Sequence, residues 1–113
     1  MLRVRVVSPE RVVFDGEGIS VVAPAWDGKV GILTGHAPMI TLLGMGELAV
    51  DLPGGGSRTF HVAGGALQVL DNQVTVLSEY AGDTPPERPP EGLVQPEEVR
   101  DYERRTSPAD SLI

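Results

Sequence analysis

The residues of this 113-residue sequence best suited to acid–base or metal chemistry are its two histidines. His36 lies in a loop-like stretch between Gly35 and Pro38, whereas His61 alternates with apolar residues as in a strand. A hydrolase would also need a nucleophile and an orienting acid, and residues of those types include Ser20, Ser57, Ser78 and Asp27. No spacing in the sequence brings these groups together, and neither histidine has a partner at a metal-ligand spacing. We therefore expect no catalytic residues and no metal site.

One stretch matches a cofactor-binding glycine pattern. Residues 44–49, Gly-Met-Gly-Glu-Leu-Ala, satisfy the G-x-G-x-x-A pattern of dinucleotide-binding folds. In those folds the last positions begin a helix, but Leu48 to Leu52 alternates apolar and polar residues as a strand does. The phosphate-binding pattern G-x-x-x-x-G-K-[ST] does not occur in the sequence. We interpret Gly44 and Gly46 as turn residues and expect no bound cofactor.

The segment with the most closely spaced structural signals runs from Asp27 to Pro38 and reads DGKVGILTGHAP. It combines a turn, a short apolar strand, a second glycine and a His-Ala-Pro exit. Its beginning presents Trp26, Asp27 and Lys29, the last being the only lysine in the sequence. A large aromatic residue beside a charged turn is typical of a docking tip, but it is equally typical of a residue that covers one end of a core. Both interpretations stay open on the residues alone.

Short alternating apolar runs precede residue 80 and predict half-buried strands. They cover residues 2–7, 12–14, 18–24, 29–33, 48–52, 58–62, 66–70 and 73–77. Turn signals stand between them at Asp15-Gly16, Asp27-Gly28, Pro53 to Gly56 and Asp71-Asn72. The pattern predicts an all-β fold, an antiparallel sandwich or barrel, in which we expect Leu33 and Val76 to be buried. Apolar residues at successive positions, as at Val76 and Leu77 within Val74 to Leu77, suggest that some strands are covered on both faces.

The composition changes near residue 80. Residues 83–92 read DTPPERPPEG, a proline-rich linker signature in which no helix can propagate. We divide the sequence into a domain at 1–80 and a proline-rich acidic tail at 81–113. The tail has at most one short helix, at Pro96 to Arg105, which is too short to be stable without docking on something.

The overall charge and composition exclude several function classes. Nine basic and 16 acidic residues give a net charge of −7, which disfavours nucleic-acid binding. There is no cysteine, so disulfides and thiolate metal sites are excluded. We expect a soluble protein without a leader peptide, linked to a membrane only through a partner.

A series of short motifs follows this chain in order. It includes Val13-Phe14-Asp15-Gly16, then Val21-Val22-Ala23-Pro24, then Gly28-x-x-Gly31-Ile32-Leu33-x-Gly35-His36-Ala37-Pro38, and later Gly64-Gly65 and Val74-Thr75-Val76-Leu77. The combination resembles the epsilon subunit of the F-type ATP synthase over essentially all of residues 1–80. The resemblance implies a β-sandwich of about 8–10 short strands, lying at the foot of the central stalk.

The resemblance also implies a function and a set of contact residues. Such a subunit is a rotor part without catalysis or cofactor, which fastens the gamma subunit to the membrane c-ring and couples ion-driven rotation to ATP synthesis. By motif position, Ser8 and His36-Ala37-Pro38 are expected to face gamma. The tip formed by Trp26, Asp27, Gly28 and Lys29 is expected to face the c-ring, where family members often carry an acidic residue in place of Lys29.

Location and regulation follow from the same resemblance. We expect a peripheral position on the cytoplasmic face of a bacterial plasma membrane, as part of the complex. Many family members continue into two inhibitory C-terminal helices, and the proline-broken tail of this sequence does not match them. The alternative function is a small-ligand-binding sandwich, which would need a pocket lined by several aromatic residues, whereas the sequence contains five in total.

Overall fold

The computed structural model describes residues 1–87, so the predicted helix at 96–105 lies outside the described residues. All regular elements in the described part are strands, as predicted. In chain order they are β1 (Leu2–Val7), β2 (Val12–Gly18), β3 (Ser20–Ala25), β4 (Gly28–Leu33), β5 (Met39–Leu42), β6 (Met45–Asp51), β7 (Ser57–Ala63), β8 (Ala66–Leu70), β9 (Gln73–Leu77) and β10 (Tyr80–Gly82). Residues 1–87 contain no helix that could cross a membrane.

The strands form two five-stranded sheets that pack as a sandwich, which confirms the predicted fold class. Sheet A has the order β2-β1-β9-β8-β5, and sheet B has the order β10-β7-β6-β3-β4. Neighbouring strands pair antiparallel with one exception, because β1 and β9 run parallel with Val4 opposite Val74. In sheet A the first strand of the chain is therefore held between β2 and a strand from the end of the domain.

The core lies between the two sheets and is mostly aliphatic. Strands β1 and β9 alternate buried and exposed residues, as the two-residue period of a strand requires when one face is packed. The largest buried side chain is Phe60 on β7, whose ring lies 5.7 Å from that of Phe14 on β2. Because these strands belong to different sheets, this contact places β2 against β7. The Arg58 guanidinium lies 5.0 Å from the Phe60 ring centroid and covers that side of the core.

The predicted turn at Asp15-Gly16 is wrong, because both residues lie inside β2. The strand continues to Gly18, which is buried opposite Leu2. A Cβ atom at Gly18 would stand 2.8 Å from Cγ1 of Val50 in the facing sheet. The glycine at this position is explained by close packing between the sheets rather than by a turn.

The expected burial of Leu33 is also wrong. Its neighbour Ile32 points into the core and is 1% exposed, so Leu33 points outward and is 63% exposed. Val76 is fully buried, as expected. Two strands were not among the predicted runs: β5, which is only four residues long, and β10, which has three.

Candidate partner-binding surfaces

The predicted docking tip is the turn that joins β3 to β4. Trp26 is half-buried, and its backbone amide donates a 3.0 Å hydrogen bond to the Leu42 carbonyl of the other sheet. Asp27, Gly28 and Lys29 follow it and are exposed. Trp26 is thus anchored across the two sheets, while the next three residues remain accessible at one end of the sandwich.

Ser8 lies near the same end of the sandwich, in the turn between β1 and β2. Its side chain is 6% exposed, and the hydroxyl donates a 3.3 Å hydrogen bond to the Arg11 carbonyl. The Ser8 amide donates to the same oxygen at 2.9 Å, so the residue closes the turn. The accessible surface around it is a shallow groove with Val7, Pro9 and Leu77 in its lining.

Buried Ser78 fastens the strand ends near Ser8 to one another. Its hydroxyl oxygen accepts a 3.1 Å hydrogen bond from the Ala63 amide, and the Gly64 carbonyl lies 3.1 Å away as an acceptor. The Ser78 amide donates a 2.9 Å hydrogen bond to the Val7 carbonyl. One small side chain thereby joins the end of β9 to the last residue of β7, while its own amide ties it to β1.

The His36-Ala37-Pro38 segment lies at the opposite end of β4 from the tip. The His36 amide donates to the Leu33 carbonyl at 3.1 Å, and its Nδ1 lies 2.7 Å from the Ala37 carbonyl oxygen. Ala37 and Pro38 are exposed, and His36 is half-buried. The two predicted gamma-facing places, Ser8 and residues 36–38, therefore lie at opposite ends of the sandwich.

An apolar surface on the outer face of sheet A connects these two places. Strand pairing aligns one outward-facing residue from each of four adjacent strands, and we call this row the apolar strip: Leu42, Ala66, Leu77 and Val7. Leu77 is 55% exposed in the middle of the strip, which ends beside the groove at Ser8. Along β5 the apolar surface continues from Leu42 through Ile40, 73% exposed, to Pro38. Contiguous exposed apolar surface is common where proteins contact one another.

The residues considered for catalysis are dispersed. His61 lies on the outer face of sheet B, opposite Glu47 of the neighbouring strand, whereas His36 lies in the loop between β4 and β5. The Ser20 hydroxyl donates instead to the Asp51 carboxylate at 2.8 Å. Within residues 1–87, no group of three metal-ligating side chains converges. The geometry of the described part offers contact surfaces and brings no nucleophile, base and acid together.

Three relatives show what the sequence is similar to. ATP synthase epsilon chains of a Psychrobacter species, Alkalilimnicola ehrlichii and a Synechococcus species are 41%, 42% and 45% identical to it over 80 residues. The match covers 71% of this chain and 57–58% of each relative, so the chain matches little more than half the length of these proteins.

Solved structures show the same fold. A cryo-EM structure of the Euglena gracilis mitochondrial ATP synthase contains a chain with a TM-score of 0.67 at 20% identity, covering 97% of this chain and 69% of that one. The central stalk and c-ring of the Tetrahymena thermophila mitochondrial ATP synthase give a TM-score of 0.59 at 18% identity, covering 98% and 92%. The model of the ATP synthase delta/epsilon chain β-sandwich domain matches residues 1–83. By that match and by the identity of its relatives, the chain belongs to the ATP synthase delta/epsilon chain family.

Proposed function

We propose that this protein is a rotor subunit of the central stalk of an F-type ATP synthase. It fastens the gamma subunit to the membrane c-ring and so couples ion-driven rotation to ATP synthesis, without catalysis of its own. It lies on the cytoplasmic face of a bacterial plasma membrane and reaches the membrane only through the complex. Family membership and the stalk and c-ring structures with the same fold support this proposal.

The observation that supports the proposal is that an exposed apolar surface and an exposed polar tip lie on different parts of one sandwich. The apolar strip lies on the outer face of sheet A, whereas the exposed tip, Asp27 to Lys29, projects from the β3–β4 turn. A part that links two partners needs two surfaces that can be occupied at once. We assign the strip to gamma, because a permanent interface is more apolar than ordinary surface, and the polar tip to the c-ring.

The strip also explains how Ser8 and His36-Ala37-Pro38, which lie at opposite ends of the sandwich, can face the same partner. Val7 adjoins Ser8 at one end of the apolar surface, and Pro38 adjoins Ile40 at the other. A single partner lying along sheet A would reach both places. In this assignment Ser8 acts through the shape of its turn, since its own side chain is buried.

The alternative, a small-ligand-binding sandwich, has less support. The shallow groove beside Ser8 is lined by Val7, Pro9, Leu77 and their neighbours, and the groove beside Pro38 by Ile40, Leu70 and theirs. Neither lining includes an aromatic residue, and both grooves are open to solvent. Small-ligand sites are normally enclosed and rich in aromatic side chains.

The test is reconstitution. Membranes stripped of their own epsilon subunit, with gamma and c-ring from the same source as this protein, would receive the full chain while ATP-driven ion pumping and ATP hydrolysis are recorded together. We expect restored pumping without suppressed hydrolysis. Failure to bind or to restore pumping would contradict the proposed function.

Two matched variants connect this test to the strip. Leu77→Ala removes an exposed side chain from its centre, whereas Ile19→Ala removes one of similar exposure, 48%, between β2 and β3. We expect Leu77→Ala to weaken binding to gamma about tenfold and Ile19→Ala to leave binding unchanged, because contact residues near the centre of an interface dominate its affinity. Equal affinities of the two variants for gamma would show that the strip is not part of the interface.

A further inference from the structure

The charges on the outer face of sheet A are unevenly distributed. Across β1, β9, β8 and β5, the outward-facing side chains are apolar or neutral except for two, Arg3 and Arg5, both on β1. In the described part, the acidic residues of this face lie only on β2, at its outer edge, where Asp15 and Glu17 pair across from the arginines. The outer face of sheet B has the opposite balance, since Glu47 and Asp51 face outward there with the single cation Lys29. An exposed cation beside the strip is notable in a chain with a net charge of −7.

The two arginines differ in their partners. Arg3 donates a 2.7 Å hydrogen bond to Asp15 in a salt bridge that is open to solvent. Arg5 makes no salt bridge within residues 1–87, although Asp15 lies opposite it in the strand register. Arg5 is also nearer the apolar strip, because Val7 is the next outward residue on β1 and Thr75, its neighbour on β9, precedes Leu77. Arg3, Arg5, Asp15, Gln73 and Thr75 line a shallow polar cavity of about 280 Å³.

A partner that covers Leu77 and Val7 must also approach Arg5, since adjacent outward residues along a strand are separated by only ~7 Å. Covering the Arg5 guanidinium removes water from it, and two arginines share the single carboxylate of Asp15 in this cavity, so a carboxylate from the partner would stabilise the covered charge. The cavity beside Arg5 offers room for a carboxylate, and Thr75 supplies a second hydrogen-bonding group there.

We propose that the segment of the stalk partner lying on the apolar strip is amphipathic, with an apolar edge over Leu77 and a carboxylate that enters the polar cavity and pairs with Arg5. The inference rests on the proposed function and names the chemistry of the partner at the strip. In this arrangement Leu77 supplies affinity, whereas Arg5 fixes the orientation of the segment, because the carboxylate can pair with it in only one direction across the sheet.

Binding of the full chain to the stalk partner would be measured for wild-type, Arg5→Gln and Thr59→Glu proteins at low and high salt. Thr59 is exposed on the outer face of sheet B, and Thr59→Glu lowers the net charge by one, as Arg5→Gln does. We expect Arg5→Gln to weaken binding about fivefold near 0.01 M salt and by a smaller factor near 1 M, because salt screens a pair covered by the partner only in part. Thr59→Glu should bind as wild type at both salt concentrations.

A double-mutant cycle would identify the carboxylate. Each acidic residue on the partner's contacting segment is changed to its amide, and one of these changes should make Arg5→Gln silent. If wild type binds but Arg5→Gln binds equally well, or if no partner carboxylate couples to Arg5, the inference is wrong while the proposed function stands. If wild type does not bind the stalk, the proposed function fails first. Nuclear Overhauser contacts between Arg5 and residues 88–113 of the isolated chain would assign the cavity to the chain's own acidic tail and overturn the inference.

Discussion

Asn72 holds Gly35, which lies 37 residues earlier in the sequence. The Asn72 side-chain oxygen accepts a 2.7 Å hydrogen bond from the Gly35 amide, which joins the turn between β8 and β9 to the loop that carries His36-Ala37-Pro38. Asn72 has a φ of 61°, in the left-handed region that asparagine tolerates better than most residues. The position of one predicted gamma-facing segment therefore depends on a turn elsewhere in the chain.

This relationship predicts that Asn72→Gly weakens gamma binding with little loss of stability. Glycine keeps the left-handed conformation but removes the hydrogen bond, which is exposed and contributes about 1 kcal/mol or less. Affinity for gamma and the free energy of unfolding would be measured side by side. Asp71→Gly is the matched control, because Asp71 also has a positive φ of 49° but holds no loop in the described structure. Equal affinity for both variants would show that the loop position does not matter.

Gly65 is predicted to tolerate no side chain. A Cβ atom there would stand 1.9 Å from the Leu77 carbonyl oxygen, and its φ of 97° is unfavourable for other residues. We expect Gly65→Ala to lower the free energy of unfolding by about 3 kcal/mol or more, measured by chemical denaturation. Gly31→Ala is the control, since nothing lies within 4 Å of its Cβ position, and it should change stability by less than about 1 kcal/mol. A stable Gly65→Ala protein would mean that the β7–β8 crossover can shift.

Two neighbouring residues on β9 should separate stability from binding. Val76 is fully buried, so Val76→Ala should cost about 2 kcal/mol of unfolding free energy. Leu77 faces outward, so Leu77→Ala should change stability by less than about 0.5 kcal/mol while it weakens gamma binding. Thermal melting and gamma affinity of both variants give the comparison. The reverse pattern would show that the two faces of β9 are interchanged.

Ser78→Ala should destabilise the end of the sandwich near Ser8. It removes the acceptor of the Ala63 amide in a site that is 4% exposed, and a buried group left without its partner costs about 1–3 kcal/mol. Chemical denaturation is the measurement. Ser57→Ala, at an exposed strand end, is the matched control and should be neutral within about 0.5 kcal/mol. Equal stability of the two variants would show that water replaces the lost hydroxyl.

The tip is predicted to serve c-ring attachment alone. Lys29→Gln and Asp27→Asn change exposed turn side chains, so the free energy of unfolding should stay within about 0.5 kcal/mol of the wild-type value. Ring attachment, measured by co-sedimentation with membranes, should weaken in both variants. Asp71→Asn, in a turn of the other sheet, removes the same charge and should leave attachment intact. Unchanged ring attachment for Lys29→Gln and Asp27→Asn would reject the assignment of the tip.

The sequence predicted the sandwich because strict alternation, as in Leu2 to Val6, directly reports which face of a strand is buried. It did not predict the orientation of Leu33, because both Ile32 and Leu33 are apolar and alternation carries no information where both faces are apolar. It also missed the role of Gly18, whose small size is required by Val50 of the other sheet. Such contacts across sheets have no local signature in the chain.

The candidate surfaces were predicted unequally. The tip at Asp27 to Lys29 is visible in sequence as a charged turn, and the structure leaves it exposed. The apolar strip is not visible, because its members come from four strands and meet only through strand register. The run Val74 to Leu77 did carry a signal, because an apolar residue at Leu77 predicted that both faces of this strand are covered. In the structure sheet B covers only the face with Val74 and Val76, and Leu77 on the other face is exposed.

The parallel pairing of β1 with β9 has a consequence for synthesis on the ribosome. Sheet A consists of two antiparallel pairs, β2-β1 and β8-β5, and β9 is the strand that joins them. Until residues 73–77 emerge, β1 lacks its second neighbour, and the backbone N–H and C=O groups along that edge of the strand are unpaired. An isolated hairpin is only marginally stable in water. The nascent chain is therefore most vulnerable to aggregation before its ninth strand appears, and cooperative closure of the domain must follow translation of nearly all of it.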